Sequence, residues 1–394
     1  MEKLMEIKSV KVQNFGCIKD LDMKLTPLHA VIGPNDAGKS TLLRAVRTGM
    51  QLLADRFYGG FPEYDQEQKC RPFHPGLHDN ANISFFSTID PETQFKYELL
   101  LTKNNVRDQW MFLGKKAGEI YLRKGIHLIK PGYEKLERSV WDPNNIILDL
   151  LRFAEVTAKL PRMVRLDPDS LRKPGDIYPS SKPINFKEKG FGLASVLDSL
   201  MNRNIDGYIS IRDNIRKLFP STDSFNLKNI EVIDYDLFER GPKGNPVEGA
   251  KKIVKTMEII LKNGSTVSSN FISEGMLYYI AFSALQYLEP ASILLIEEPE
   301  NGLHPSRIKE IMSIIRELSK TTQVLIATHS PLVINEMEPE EVTILWRDDE
   351  KGTQAMPIAE TSNFKDRSQV YALGELWLSY ADGINEMELR TGKE

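Results

Sequence analysis

The pattern of apolar and polar positions changes period several times along the 394-residue chain. Residues 5–12 (MEIKSVKV) alternate enough for a half-buried strand. After the Asn14-Phe15-Gly16 turn, a second strand-like stretch leads to the short run His29-Ala30-Val31-Ile32. From Thr41 to Ala54, Leu42, Leu43, Val46, Met50 and Leu53 recur at helical spacing, so a glycine-containing loop stands between a strand and an amphipathic helix. Residues 55–80, rich in Gly, Pro, Asp and Asn, read as a surface loop. Antiparallel strands are expected over 83–130, and helices over 146–160 and 193–218 on either side of the Pro-rich stretch 161–183. Beyond residue 270 the pattern becomes regular: helix 276–288, apolar strand Ile293–Ile296, helix 306–319, strand Val324–Ala327. Such alternation predicts an α/β fold with parallel strands covered by helices. No internal repeat or low-complexity segment is visible.

With 41% apolar and 27% charged residues, the chain can bury a sizeable core in two or more lobes. No apolar run approaches the roughly 20 residues needed to span a bilayer, and the start MEKLMEIKSV lacks the apolar stretch of a signal peptide. A cytoplasmic location without membrane partners is therefore expected. Cys17 and Cys70 are too few for a disulfide framework, which agrees with a reducing compartment. The net charge of -4 is unevenly spread. Arg152–Lys189 carries nine Lys/Arg against five Asp/Glu, and Glu336–Glu394 carries six against fourteen. The basic middle could meet phosphates, which leaves nucleic acid open as a partner; the tail would repel them. Charge runs more often form solvated faces.

Four motifs carry chemistry. Gly33-Pro34-Asn35-Asp36-Ala37-Gly38-Lys39-Ser40 has phosphate-loop spacing, in which the backbone N–H groups of Asn35, Asp36, Ala37, Gly38, Lys39, Ser40 and Thr41 turn toward an anion. Lys39 would reach the β- and γ-phosphates of ATP, Ser40 would hold Mg²⁺, and the helix aims its positive end at the phosphates. Second, the run Ile293–Ile296 delivers Glu297-Glu298-Pro299-Glu300 at the end of a buried strand. Glu297 would contact Mg²⁺ or its water, and Glu298 would orient or deprotonate the attacking water. Third, Val324–Thr328 ends in His329, placed to sense a γ-phosphate. Fourth, Ile272-Ser273-Glu274-Gly275-Met276 opens a helix about 20 residues before the acidic strand, with Ser273 and the Gly275 N–H directed at an anion. A plain N-cap serine is the simpler account of Ser273. Cys70, His74 and His78 suggest zinc by their spacing, but Pro72 and Pro75 argue against the helix that would align them, and a surface loop is expected.

In this order the motifs resemble those of ABC-type ATPases of the SMC, RecF and OLD (overcoming lysogenization defect) group, especially compact AAA-annotated members often encoded in bacterial anti-phage systems. Further resemblances are the opening IKSVKVQNFGCIKDLDMKL, the mid-chain VRLDPDSLRKP and FGLASVLDSL, and Glu300-Asn301-Gly302-Leu303-His304-Pro305, which is similar to the family's D-loop. Departures are Asp36 inside the phosphate loop, Glu297 where many members have Asp, and the lack of a glutamine assignable to the Q-loop.

The resemblance implies an α/β, ABC-type P-loop ATPase head with a mixed sheet core and an inserted lobe that is α/β or mainly helical. Its parts would be the N-terminal ATPase segment 1–100, the inserted lobe 101–260, the C-terminal ATPase segment 261–345 and an acidic tail 346–394. It also implies a homodimer in which Ser273 and Gly275 of one copy grip the ATP held by the other. ATP turnover would then sense or regulate, in anti-phage defence or DNA surveillance, through a separate effector protein. About 60 residues follow His329, against the roughly 100 of a typical nuclease domain, so no intrinsic nuclease is expected. Alternatives are a scaffold that uses ATP only to assemble and a transporter's nucleotide-binding subunit. In the tail, Val370, Leu373, Trp377, Tyr380 and Ile384 form an apolar stripe that packs on the chain's own core, closes an oligomer, or docks a partner through Trp377.

Overall fold

The computed structural model describes residues 6–57, 80–90, 93–102, 106–116, 119–129, 159–179, 184–234, 250–361 and 364–381. The Cys70, His74 and His78 cluster and residues 146–158 of the helix expected over 146–160 lie outside these residues, and 159–160 are not helical. The chain divides into two compact units.

The first unit comprises Met1–Met163, Pro290–Glu300 and Ile315–Glu394. It contains an antiparallel sheet and a mixed sheet. The antiparallel sheet is formed by β1 (Glu6–Phe15), β2 (Ile18–Lys24), β4 (Asn80–Asp90), β5 (Thr93–Thr102), β6 (Val106–Lys116) and β7 (Glu119–Ile129), in the order β2-β1-β4-β5-β6-β7. The mixed sheet contains β3 (Leu28–Ile32), β8 (Arg162–Val164), β13 (Ile293–Glu297), β14 (Gln323–Thr328), β15 (Val342–Asp348) and β16 (Gly352–Pro357), ordered β16-β15-β3-β14-β13-β8. Every residue of β3, β13 and β14 is buried, which is why these strands read as continuous apolar runs: both faces of a parallel sheet are covered. β1 and β2 instead intersperse buried residues with half-buried or exposed ones.

Helix α1 (Lys39–Phe57) touches β1 and β4 on one side and β13 and β14 on the other. Leu42, Leu43, Val46, Met50 and Leu53 join a single core with Val10, Val12, Phe85, Ile293, Leu295 and Leu325. One buried polar side chain stitches the two sheets. Gln323 accepts from the Ile7 N–H at 2.8 Å and donates to the Ile7 and Thr26 carbonyls at 2.9 and 3.0 Å. These bonds satisfy the backbone of β1 where its register slips between Ile7 and Ser9.

The second unit, Val164–Glu289 with Asn301–Ile314, is built on the antiparallel pair β10 (Thr222–Asp234) and β11 (Ala250–Leu261). The short strands β9 (Gly175–Asp176) and β12 (Thr266–Ser268) flank β11. Residues 193–218 form two helices rather than one, α2 (Leu193–Arg203) and α3 (Ile205–Leu218), because Asn204 leaves helical geometry and its side chain caps Gly207 N–H at 3.0 Å. Helix α4 (Glu274–Ala284) is buried from Met276 to Ala284, and residues 285–287 tighten into a 3₁₀ turn. In chain order α5 (Ile308–Ser319) follows, its residues divided between the two units, and the first unit then holds the single turn α6 (Pro331–Ile334) and, in the tail, α7 (Leu373–Ala381).

Helix α7 packs on α6 within the first unit, and Gly374 N–H donates to Asn335 Oδ1 at 2.7 Å. Leu376 and Trp377 are 1% and 5% exposed, whereas Val370 is 73% exposed. The tail stripe is therefore divided: Trp377 belongs to the chain's own core and is not an exposed anchor. No helix among the described residues is long and apolar enough to cross a membrane.

Candidate functional site

The phosphate loop leaves β3 at Gly33 and enters α1 at Lys39. Two glycines make the close approach possible. A Cβ at Gly33 would stand 2.2 Å from the Leu345 carbonyl of β15, and Gly38, at φ +98°, would put one 2.5 Å from Thr353 Oγ1 and 3.1 Å from Cys17 Sγ. Asp36 takes a left-handed φ of +69°, so the departure at this position is accommodated by an acidic residue type that tolerates that region. Asn35 and Asp36 are exposed, Ala37 and Gly38 are buried, and Ser40 and Thr41 are half-buried. The Lys39 ammonium folds over the loop, donating to the Gly33 and Pro34 carbonyls at 2.7 and 2.8 Å. Burial lowers its pKa, opposed by the charges of Glu298, Glu300 and Asp36.

The acidic pair sits where expected. Glu297 closes β13 as a buried side chain, 5% exposed. Glu298 follows at φ +49°, a conformation that side-chain-bearing residues seldom adopt, and is held there by its N–H donating to the Ala327 carbonyl of the neighbouring strand at 2.8 Å. β14 runs parallel to both β13 and β3, so its last residue, Thr328, and the next, His329, emerge on the edge where β3 releases the phosphate loop. His329 is exposed, with Nδ1 3.8 Å from Glu298 Oε1 and 3.9 Å from Glu300 Oε1. Glu300 Oε1 accepts from Thr328 Oγ1 at 2.7 Å and from His329 N–H at 3.3 Å. Glu297 ends, and Lys39, Glu298 and His329 follow, three adjacent parallel strands.

Sequence pattern does not single out Glu300 and Thr328 as site residues; the third carboxylate of Glu297-Glu298-Pro299-Glu300 and the hydroxyl before His329 are the signals that could have found them. Thr353 on β16 carries none. The donor set fits magnesium, a hard cation that takes oxygen ligands and commonly only one or two from protein. The Ser40 hydroxyl and the buried Glu297 carboxylate are of that kind. A cluster of three or more His, Cys, Asp or Glu able to cage a metal is absent among the described residues.

Ser273 and Gly275 belong to the second unit. Ser273 occupies the N-cap position of α4, yet its exposed hydroxyl makes no capping bond, so helix capping does not account for it. The segment is braced from behind. Arg172 donates to the Ile272 carbonyl at 3.1 Å, Ser269 Oγ to the Arg172 carbonyl at 3.0 Å, and Tyr278 to the Leu166 carbonyl at 3.2 Å.

A parallel strand feeding a phosphate loop and helix, beside strands that end in paired glutamates and a histidine, defines an ABC-type P-loop ATPase head with a mixed sheet core. Residues 28–335 match the family described as "AAA domain, putative AbiEii toxin, Type IV TA system", and the chain belongs to that family. The fold is similar to that in the crystal structure of the SmcHead bound to the C-winged helix domain of ScpA. That match has a TM-score of 0.50 and 14% identity, covering 89% of this chain and 97% of that one. In sequence, the chain is 23% identical over 370 residues to "Retron Vc95 probable ATPase" of Vibrio cholerae serotype O1 biovar El Tor, covering 80% of this chain and 68% of the relative. A 40-residue stretch is 52% identical to the OLD nuclease of Thermus scotoductus, 10% of this chain and 8% of that protein. The resemblance to the SMC and OLD group of ABC-type ATPases stands on these matches.

Proposed function

We propose that the chain binds ATP with Mg²⁺ and hydrolyses it at a site shared between two copies, and that this cycle regulates a separate effector in anti-phage defence or DNA surveillance. The observation that carries the hydrolytic part is the meeting of Lys39, Glu298, Glu300 and His329 at one edge of a parallel sheet. In this reading the N–H groups of Asn35 to Thr41 cradle the phosphates and Lys39 exchanges its loop carbonyls for β- and γ-phosphate oxygens. Ser40 and Glu297 would hold Mg²⁺, which when bound supplies positive charge against the phosphate oxygens. Glu298 orients or deprotonates the water, and His329, within reach of Glu298, reports on the γ-phosphate. The unused hydroxyl of Ser273 and the half-buried Gly275 favour an anion contributed by a second copy. The defence role and the effector rest on the resemblance of the motifs to OLD-type ATPases; a retron ATPase is among the relatives in sequence.

The reading is tested by two substitutions with different signatures. Lys39→Ala should abolish ATP binding in calorimetry, because the charge that neutralises the phosphates is gone. Glu298→Gln should bind ATP normally and lower turnover by about 10²-fold or more. Equal ATP affinity in Lys39→Ala and wild type would refute the phosphate-loop assignment, and unchanged turnover in Glu298→Gln would move catalysis elsewhere.

A further inference from the structure

We propose that Glu300 is the positioning residue of this site: its carboxylate holds the turn Thr328–Ser330 so that His329 faces Glu298. The proposal rests on the ATPase reading above and adds a residue to it. The Glu300 side chain is only 9% exposed. Its Oε1 accepts from Thr328 Oγ1 at 2.7 Å and from His329 N–H at 3.3 Å. With its O–H donating to Glu300, the Thr328 hydroxyl uses a lone pair to accept from Ser330 N–H at 2.9 Å. Three successive residues are thereby tied, directly or through one hydroxyl, to one carboxylate.

The tie falls beyond the sheet ladder, where the Ser330 carbonyl accepts from Ile334 N–H at 3.3 Å and the His329 and Ser330 N–H groups are held by the bonds just described. β14 ends at Thr328, and the next helical turn begins at Pro331. Residues 329 and 330 therefore lie beyond the sheet ladder, and the direction of the imidazole is set by what holds their N–H groups. The His329 ring is bracketed, with Nδ1 3.8 Å from Glu298 Oε1 and 3.9 Å from Glu300 Oε1.

A purely structural acceptor would not need a charge. An amide oxygen could take both bonds with less desolvation, yet this position keeps a carboxylate whose Oε2 is buried and has no hydrogen-bond partner among the described residues. Its charge also acts on Lys39, raising the ammonium pKa against the effect of burial. One group therefore connects the phosphate-loop lysine, the His329 turn and the end of the acidic strand.

The test is steady-state ATP hydrolysis together with binding of a non-hydrolysable ATP analogue. Glu300→Ala should lower kcat roughly 10²-fold through misplacement of His329, while the analogue binds within about threefold of wild type. Glu300→Gln, whose amide oxygen can accept the same two bonds, should recover about tenfold of that loss or more. Thr328→Val, close in shape to threonine, should show the same split between kcat and affinity, and the double variant Glu300→Ala/Thr328→Val should be no worse than Glu300→Ala alone. An unchanged kcat, a rise in KM alone, or additive losses would overturn the proposal. Should Glu300→Ala fail to fold, Thr328→Val decides the matter on the same criteria. Amide hydrogen exchange keeps the positioning claim separate from the ATPase claim. With or without turnover, exchange at His329 and Ser330 should be faster in Glu300→Ala than in wild type; equal exchange overturns the positioning. A wild-type chain that binds ATP without hydrolysing it counts against the ATPase reading instead.

Discussion

His29, inside the strand that leads to the phosphate loop, makes stability depend on pH in a calculable way. The residue is 3% exposed, and its Nδ1 and Nε2 lie 3.1 and 3.0 Å from the hydroxyls of Thr26 and Thr343. Because the Thr26 hydroxyl donates to the Leu28 carbonyl, it must accept from Nδ1–H, leaving Nε2 to accept from Thr343. This is a neutral imidazole, and burial pushes its pKa down from 6.5 to about 4. In the unfolded chain the group titrates near its ordinary value. The stabilisation is therefore complete above pH 6.5 and is lost as pH falls from there through about 4, where the folded protein also takes up the proton. At about 1.36 kcal/mol per pKa unit the full difference is roughly 3 kcal/mol, of which about 2 kcal/mol is gone by pH 5. Urea unfolding of wild type and His29→Gln at pH 7.5 and pH 5.0 measures it: the wild type should lose about 2 kcal/mol more between the two pH values than the variant, whatever the variant's absolute stability. Equal losses in both proteins would refute the reasoning, since the variant has no imidazole to titrate.

Trp377→Ala should destabilise the protein by about 3–5 kcal/mol in denaturant unfolding, because the indole is core; a variant of wild-type stability would contradict its burial. Gly38→Ala should weaken ATP binding at least about tenfold in calorimetry, since a methyl at φ +98° is strained and meets Thr353; unchanged affinity would mean the loop can give way. If Ser273 acts on the partner copy's nucleotide, mixing a Ser273→Arg chain with a Lys39→Ala chain should restore part of the hydrolysis through one intact composite site. No recovery in demonstrably mixed dimers would place Ser273 outside the site.

Much of the candidate site was legible from local pattern. β3, β13 and β14 are buried on both faces, so each spells an unbroken apolar run, and the residues that follow, Gly33, Glu297-Glu298 and His329, stand at strand ends by their position alone. The phosphate loop was legible for the same reason, because its glycines answer to dihedral and steric demands within a few residues. The break at Asn204 was harder to see, since two helices that follow each other directly keep one apolar period across the join.

Tertiary structure decided what touches what. That β3 lies between β14 and β15 brings Thr353 and Leu345 against the phosphate loop more than 300 residues earlier, which no local period encodes. The same strand order sets the Thr328 hydroxyl against Glu300, turning a third acidic residue into the support of the His329 turn. Trp377 shows the limit most plainly: its spacing placed it on a helical stripe, but whether that stripe met solvent, a partner or its own chain depended on α7 docking beside α6. Secondary-structure preference is written in neighbouring residues, whereas burial is settled by whichever distant surface arrives to exclude water.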